Sequence, residues 1–186
     1  MDRRDRGSTR RPDDSGEWEW SFTAKDGTAK RFVWMNVSAR VPIPGWAEWG
    51  IGLDVTTRRE AEGRLLTLFQ SSTDAMVFAT TEGLPLDMND AFVRLSGYAR
   101  EELINRMRYQ DLTPPESHHV IQSMMKDLFN SEASQELNGE LLRKDGSSVA
   151  VHLKVFVVHA VDGATIGMGA IIKSPSATAT RMTSGE

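Results

Sequence analysis

Glu140-Leu-Leu-Arg-Lys144-Asp145-Gly146-Ser-Ser-Val-Ala-Val-His-Leu-Lys-Val-Phe-Val-Val158 is a β-run, a Lys-Asp-Gly turn and a second, longer β-run. The chain carries nearly the same text earlier, as Trp20-Ser-Phe-Thr-Ala-Lys25-Asp26-Gly27-Thr-Ala-Lys-Arg-Phe-Val-Trp-Met-Asn-Val-Ser38. Asp-Gly between extended runs is a strong hairpin signal, because its turn needs backbone at positive φ. The two Asp-Gly pairs lie 119 positions apart, Asp26 to Asp145. That spacing is about one small domain and points to duplicated domains rather than a short solenoid repeat. Only the second copy has room for everything that precedes the hairpin. The repeat predicts one whole domain behind the tail end of another.

Composition narrows the function. With 39% apolar and 26% charged residues, the 186-residue chain is ordinary for a globular protein. A net charge of −4 gives no basic field for nucleic acid. There is no cysteine, which removes disulfides, thiolate nucleophiles and cysteine-ligated metals. No apolar run approaches the roughly 18 residues of a membrane span, and Met1-Asp-Arg-Arg-Asp-Arg6 does not open a signal peptide. The cytoplasm is the expected compartment.

Residues 1–16 lack periodicity and are expected as a disordered tail, as are residues 175–186. From 17 to 56 the chain reads as three strands, near 18–24, 30–41 and 47–55, holding all five tryptophans. Three strands with that much aromatic surface need a partner to cover them. Thr57-Arg-Arg-Glu60 has capping-box spacing and opens a connector helix over 57–70, with Ala61, Leu65 and Leu68 as its apolar stripe.

The complete domain is expected over 71–174. Strands are predicted at 74–80 and 84–88, with Pro85 marking an edge. Short helices follow at 89–96, opened by Asn89 or Asp90, and at 101–106. A longer helix runs from an N-cap at Thr113, with Pro114 first and Glu116 third, to about Asn130. Strands near 134–143, 148–159 and 165–173 close the domain. In the middle one Val149, Val151, Leu153, Val155 and Val157 alternate with Ala150, His152, Lys154, Phe156 and Val158, and the first set is expected to face the core. The fold class is α+β, an antiparallel five-stranded sheet with short helices on one face.

That order resembles the PAS (S-box) sensory domain. The residues that carry the likeness are Gly83, Asn89-Asp-Ala-Phe92, Leu95-Ser-Gly97-Tyr98-Ala-Arg-Glu-Glu102-Leu103, Asp111-Leu-Thr-Pro-Pro-Glu116 and Lys144-Asp-Gly146. The leading fragment resembles the C-terminal half of another PAS domain, and Asp54-Val-Thr56 is similar to the family's Asp-Ile-Thr exit. Two positions depart. Ala99 stands where the family has a capping Ser, at a cost of about 1 kcal/mol. Ile171-Ile-Lys-Ser-Pro175 replaces the second exit, so no covalently attached C-terminal effector is expected.

The resemblance implies a cavity between sheet and helices, lined by Met76, Phe78, Phe92, Tyr98, Met107, Met124, Leu128, Leu141, Leu153, Val155, Met168 and Ala170. Plain core packing of these side chains is the alternative. His118 and His119 lie on the helix that carries the haem ligand in oxygen-sensing relatives, and at most one can face a pocket. The flavin adduct chemistry of light-oxygen-voltage domains needs a cysteine that is absent; non-covalent flavin stays open. No nucleophile, base and orienter set, phosphate loop or metal pattern is legible.

The expected function is a non-enzymatic sensory module. It would bind a small apolar ligand, a signalling-protein partner, or both, and regulate a separate effector in a two-component type of pathway. The alternatives are the truncated sensor portion of a histidine kinase or diguanylate cyclase, and a haem-based gas sensor. The resemblance further implies a homodimer, with Leu65, Leu68, Phe69, Phe156 and Val158 as interface candidates.

Overall fold

The computed structural model describes residues 17–174, so both expected tails lie outside the described residues. They fall in two compact units divided between Thr67 and Leu68. In the first unit, β1 (Glu17–Thr23), β2 (Ala29–Asn36) and β3 (Gly50–Asp54) form an antiparallel sheet in that order. The pairing Trp18 opposite Trp34 and Trp20 opposite Phe32 gathers Trp18, Trp20, Phe22, Phe32 and Trp34 on one face. Phe22 stacks on Phe32 at 5.3 Å, while Trp20 remains 57% exposed. On the other face Glu19 pairs with Arg31 and Arg59. Helix α1 (Thr56–Ser71) follows, and the division between units falls inside it.

The second unit orders its five antiparallel strands β5-β4-β8-β7-β6, from β4 (Ala75–Ala79), β5 (Pro85–Met88), β6 (Gln135–Leu142), β7 (Ser148–His159) and β8 (Thr165–Lys173). Pro85 opens the edge strand, where its missing N–H costs no ladder bond. Between β5 and β6 run α2 (Asp90–Ser96), α3 (Arg100–Leu103), 3₁₀ turns at Tyr109–Leu112 and Pro115–Ser117, and α4 (His118–Ser131). On β7, Val151 and Val155 are buried, as the alternation predicted.

Asn89 opens α2, and its amide does more than cap. Completely buried, its Oδ1 accepts from the Phe92 N–H at 3.1 Å and the Met76 N–H at 2.9 Å. Its Nδ2 donates to the carbonyls of Asp74 at 2.9 Å and Phe69 at 3.1 Å. One side chain thus joins the end of α1, the start of β4 and the start of α2. At α3, Ala99 has no acceptor, but Glu102 reaches back to accept from the Ala99 N–H at 2.8 Å, which restores half of a capping box. That helix stops at Leu103, short of the expected Arg106, because Asn105 turns left-handed at φ 55°.

The start of α4 also corrects the sequence reading. Thr113 does not cap it, because α4 begins only at His118; the Thr113 hydroxyl donates instead to the Tyr109 carbonyl at 2.9 Å. A single 3₁₀ turn follows Pro114, and the α-helix begins at His118.

The repeated hairpins close alike. Gly27 and Gly146 stand at φ 85° and 81°. Asp26 accepts from the N–H and hydroxyl of Thr28, and Asp145 from those of Ser147. The side-chain hydrogen bond comes first among the causes that hold both carboxyls below their ordinary pKa.

Removing the Asn89 amide leaves the Met76 N–H and the Phe69 carbonyl without their side-chain partner and weakens the pairing of Asp74 and Phe92. Asn89→Ala is expected to cost roughly 3 kcal/mol or more in urea denaturation. Asn89→Asp is expected to cost a similar amount, since a carboxyl cannot donate to both carbonyls.

Candidate functional site

Small residues decide where the sheet and helices meet. Ala75, Val77 and Ala79 of β4 point inward, and Ala75 and Val77 pack with Ala91 and Phe92 of α2, Met88 and Leu103. A second cluster joins Ile121, Met124 and Leu128 of α4 to Ala79, Val155 and Met168. Between the two lies a cavity of about 100 Å³. Its floor is Val77, Ala79, Leu137, Leu141, Leu153, Val155, Met168, Ala170 and Ile172. Its remaining wall is Gly83, Pro85, Phe92, Tyr109, Leu112, Thr113, Ile121, Met124 and Met125. The Thr113 hydroxyl is already given to the Tyr109 carbonyl, so the wall is apolar in effect. Three methionines make part of it adaptable.

Of the expected lining residues, Phe92, Met124, Leu141, Leu153, Val155, Met168 and Ala170 reach the cavity. Met76 and Phe78 do not. They occupy the opposite face of β4, where Phe78 is 37% exposed and stacks on Phe69 at 5.4 Å. Tyr98 and Met107 pack beside the first cluster, and Leu128 is completely buried in the second, so none of these three lines the space. The sequence reading missed Val77 and Ala79 by inverting β4. It missed Tyr109, Leu112 and Thr113 because they sit in a segment without periodicity.

His119 is exposed. His118 is half-buried, and its Nε2 lies 3.1 Å from the Gln110 carbonyl and 3.2 Å from that of Thr113, so it carries a proton and donates. Neither imidazole lines the cavity. With no imidazole on the cavity lining, the arrangement does not fit a haem held there. A space of about 100 Å³ is too small for a flavin ring. Among the described residues no cluster of three His, Asp or Glu could hold a metal ion.

On the outer face of the sheet, Phe156 lies over Gly169 and Val158 pairs with Gly167, both side chains half-buried. On α1, Leu65 and Leu68 are each 68% exposed.

The family model described as the PAS fold matches residues 63–173, the span that builds this sheet, roof and cavity. The chain belongs to the PAS family. The chain is 29% identical over 99 residues to the hybrid signal transduction protein dokA of Dictyostelium discoideum. That match covers 53% of this chain and 6% of dokA, so the chain spans a small part of that relative. Among solved structures, the PAS domain of a Colwellia psychrerythraea protein is similar at 20% identity and TM-score 0.56, over 61% of this chain and 96% of that one. The PAS domain of an HTR-like protein from Haloarcula marismortui is similar at 21% identity and TM-score 0.56, over 63% and 94%. No helix among the described residues is long and apolar enough to cross a membrane.

Gly83 supports one wall of the PAS cavity. It stands at φ 81°, and a Cβ there would meet Tyr109 Cδ1 at 2.8 Å. Gly83→Ala is expected to lower stability by roughly 1–2 kcal/mol in thermal denaturation and to shift the Tyr109 ring resonances.

Proposed function

We propose that this PAS unit is a non-enzymatic sensory module whose cavity takes a small apolar ligand and whose occupancy is read by a separate signalling partner. The cavity carries the reading: it lies between the sheet and the roof helices, and its lining is apolar apart from Tyr109 and Thr113. Engineered dry cavities of about 150 Å³ with similar aliphatic walls bind benzene, so the chemistry of this wall suits an uncharged guest. Occupancy would act through α4 and the 3₁₀ turns, which form the roof. The likeness to dokA, a hybrid signal transduction protein, supports a place in a signal-transduction pathway. It equally supports a second reading, the sensor portion of a histidine kinase.

Association would use the exposed α1 leucines together with Phe69, Phe156 and Val158, and the occupant we expect is a second copy of the chain.

Benzene is the probe for the ligand reading. Methyl resonances of Val77, Leu153 and Met168 are expected to shift on titration, and Ala170→Leu, which fills the space, is expected to abolish the shifts while the spectrum stays dispersed. Unmoved methyls up to the solubility of benzene would refute a ligand cavity. For association, Leu65→Glu with Leu68→Glu is expected to halve the mass in light scattering without loss of helix content; an unchanged mass counts against the α1 surface.

A further inference from the structure

A second concavity lies away from the cavity, where the β6–β7 turn meets the end of α2. Arg94, Gly97, Arg143, Lys144 and Asp145 line it. The Lys144 N–H donates to the Ser96 carbonyl at 3.0 Å, which docks the turn on the helix end. The Lys144 ammonium is occupied by both oxygens of Glu102, at 2.6 and 2.7 Å. Asp145 Oδ1 accepts from the N–H and hydroxyl of Ser147, and the nearby Arg143 charge helps to hold the carboxylate ionised. Arg94 and Arg143 are different. Among the described residues neither guanidinium takes part in an ion pair. Arg143 is half-buried, and its Nε is buried with no hydrogen-bond partner in the protein.

Nothing about the turn asks for that arginine. In the β6–β7 turn the Arg143 N–H donates to the Ser147 carbonyl at 2.8 Å and the Gly146 N–H to the Arg143 carbonyl at 2.9 Å. The β1–β2 turn makes the same two bonds from Ala24, at 2.7 and 3.0 Å, and the β7–β8 turn makes them from Ala160, at 2.8 and 3.0 Å. The chain itself therefore performs the alanine substitution twice and keeps the turn. A buried, unpaired guanidinium nitrogen carries a desolvation cost, and at Arg143 the fold gains no bond in return. The guanidinium fork is the side chain suited to binding a planar or tetrahedral oxyanion through paired N–H donors.

We propose that Arg94 and Arg143 form a binding site for a phosphoryl group, distinct from the apolar cavity and open to solvent. The ligand is a dianionic oxyanion, either free or carried on a phosphorylated side chain. Lys144 and Asp145 shape the cleft through their own internal pairings, and the two arginines supply the charge and the donors. Because Lys144 anchors the turn to the end of α2, an anion held here would brace the β6–β7 hairpin against the roof helices.

The test uses the full chain and inorganic phosphate, titrated at constant ionic strength against sodium chloride and followed through the amides of Gly97 and Lys144. Phosphate is expected to shift both amides in a saturable way that chloride does not reproduce. Arg143→Ala and Arg94→Ala are each expected to weaken phosphate binding by roughly 10-fold or more. Arg143→Lys, which keeps the charge and loses the fork, is expected to weaken it as well. The spectrum of Arg143→Ala outside the cleft should stay unchanged, as Ala24 and Ala160 imply. A phosphoserine-containing tripeptide then separates the sources: tighter binding than inorganic phosphate assigns the site to a modified side chain, and equal binding to a free anion. Amide shifts no larger with phosphate than with chloride, or an affinity indifferent to Arg143→Ala, would overturn the proposal.

Discussion

The second unit depends on the need to pair every polar group around Asn89. Three chain segments arrive at that point with backbone groups that no helix or strand ladder satisfies, and the interior offers no water-like reservoir to take them. A carboxamide can accept twice and donate twice, and Asn89 uses all four capacities at distances between 2.9 and 3.1 Å. No other side chain of that size has this inventory. The hub fixes where β4 begins and where α2 starts, and so fixes which side of β4 faces the roof. The dimensions of the cavity follow from it.

Much of this was legible in the chain. The β7 strand alternates residue by residue over its buried half, and its inward set was read correctly from Val151 and Val155. The hairpins announced themselves through Asp-Gly, because few dipeptides suit that backbone. The β4 strand misled, since Ala75-Met-Val-Phe-Ala79 is apolar on both faces. Size favoured Met76 and Phe78 for the interior, but the roof helix crosses close to the strand and admits only the smaller set. The presence of Ala91 on α2 was the available signal, as a close crossing calls for small residues on both sides. Thr113 misled for another reason. Its capping pattern was genuine, yet the segment after Pro114 winds as a single 3₁₀ turn and the α-helix starts only at His118.

The two sites on this domain are opposite in physical character. The cavity disfavours charge because its lining carries no ionised group. The cleft at Arg94 and Arg143 carries two guanidinium groups against the single carboxylate of Asp145, with Lys144 already paired to Glu102. Both border the roof, the cavity through α4 and the cleft through the end of α2. An uncharged guest and an anion would therefore bear on the same layer from different sides.

The order β5-β4-β8-β7-β6 sets the first pair of strands beside the last. From β6 to β8 each strand pairs with its neighbour in sequence through a tight turn, and those contacts can form quickly. The pairing of β4 with β8 brings Ala75 opposite Ile172, across nearly the whole length of the unit. Closing so long a loop is entropically dear before its contacts are made, so it sets the pace of folding. A nascent chain must complete β8 before its hydrophobic floor can be sealed. Until then the meander stands as an open template, and the time spent in that state is governed by topology rather than by final stability.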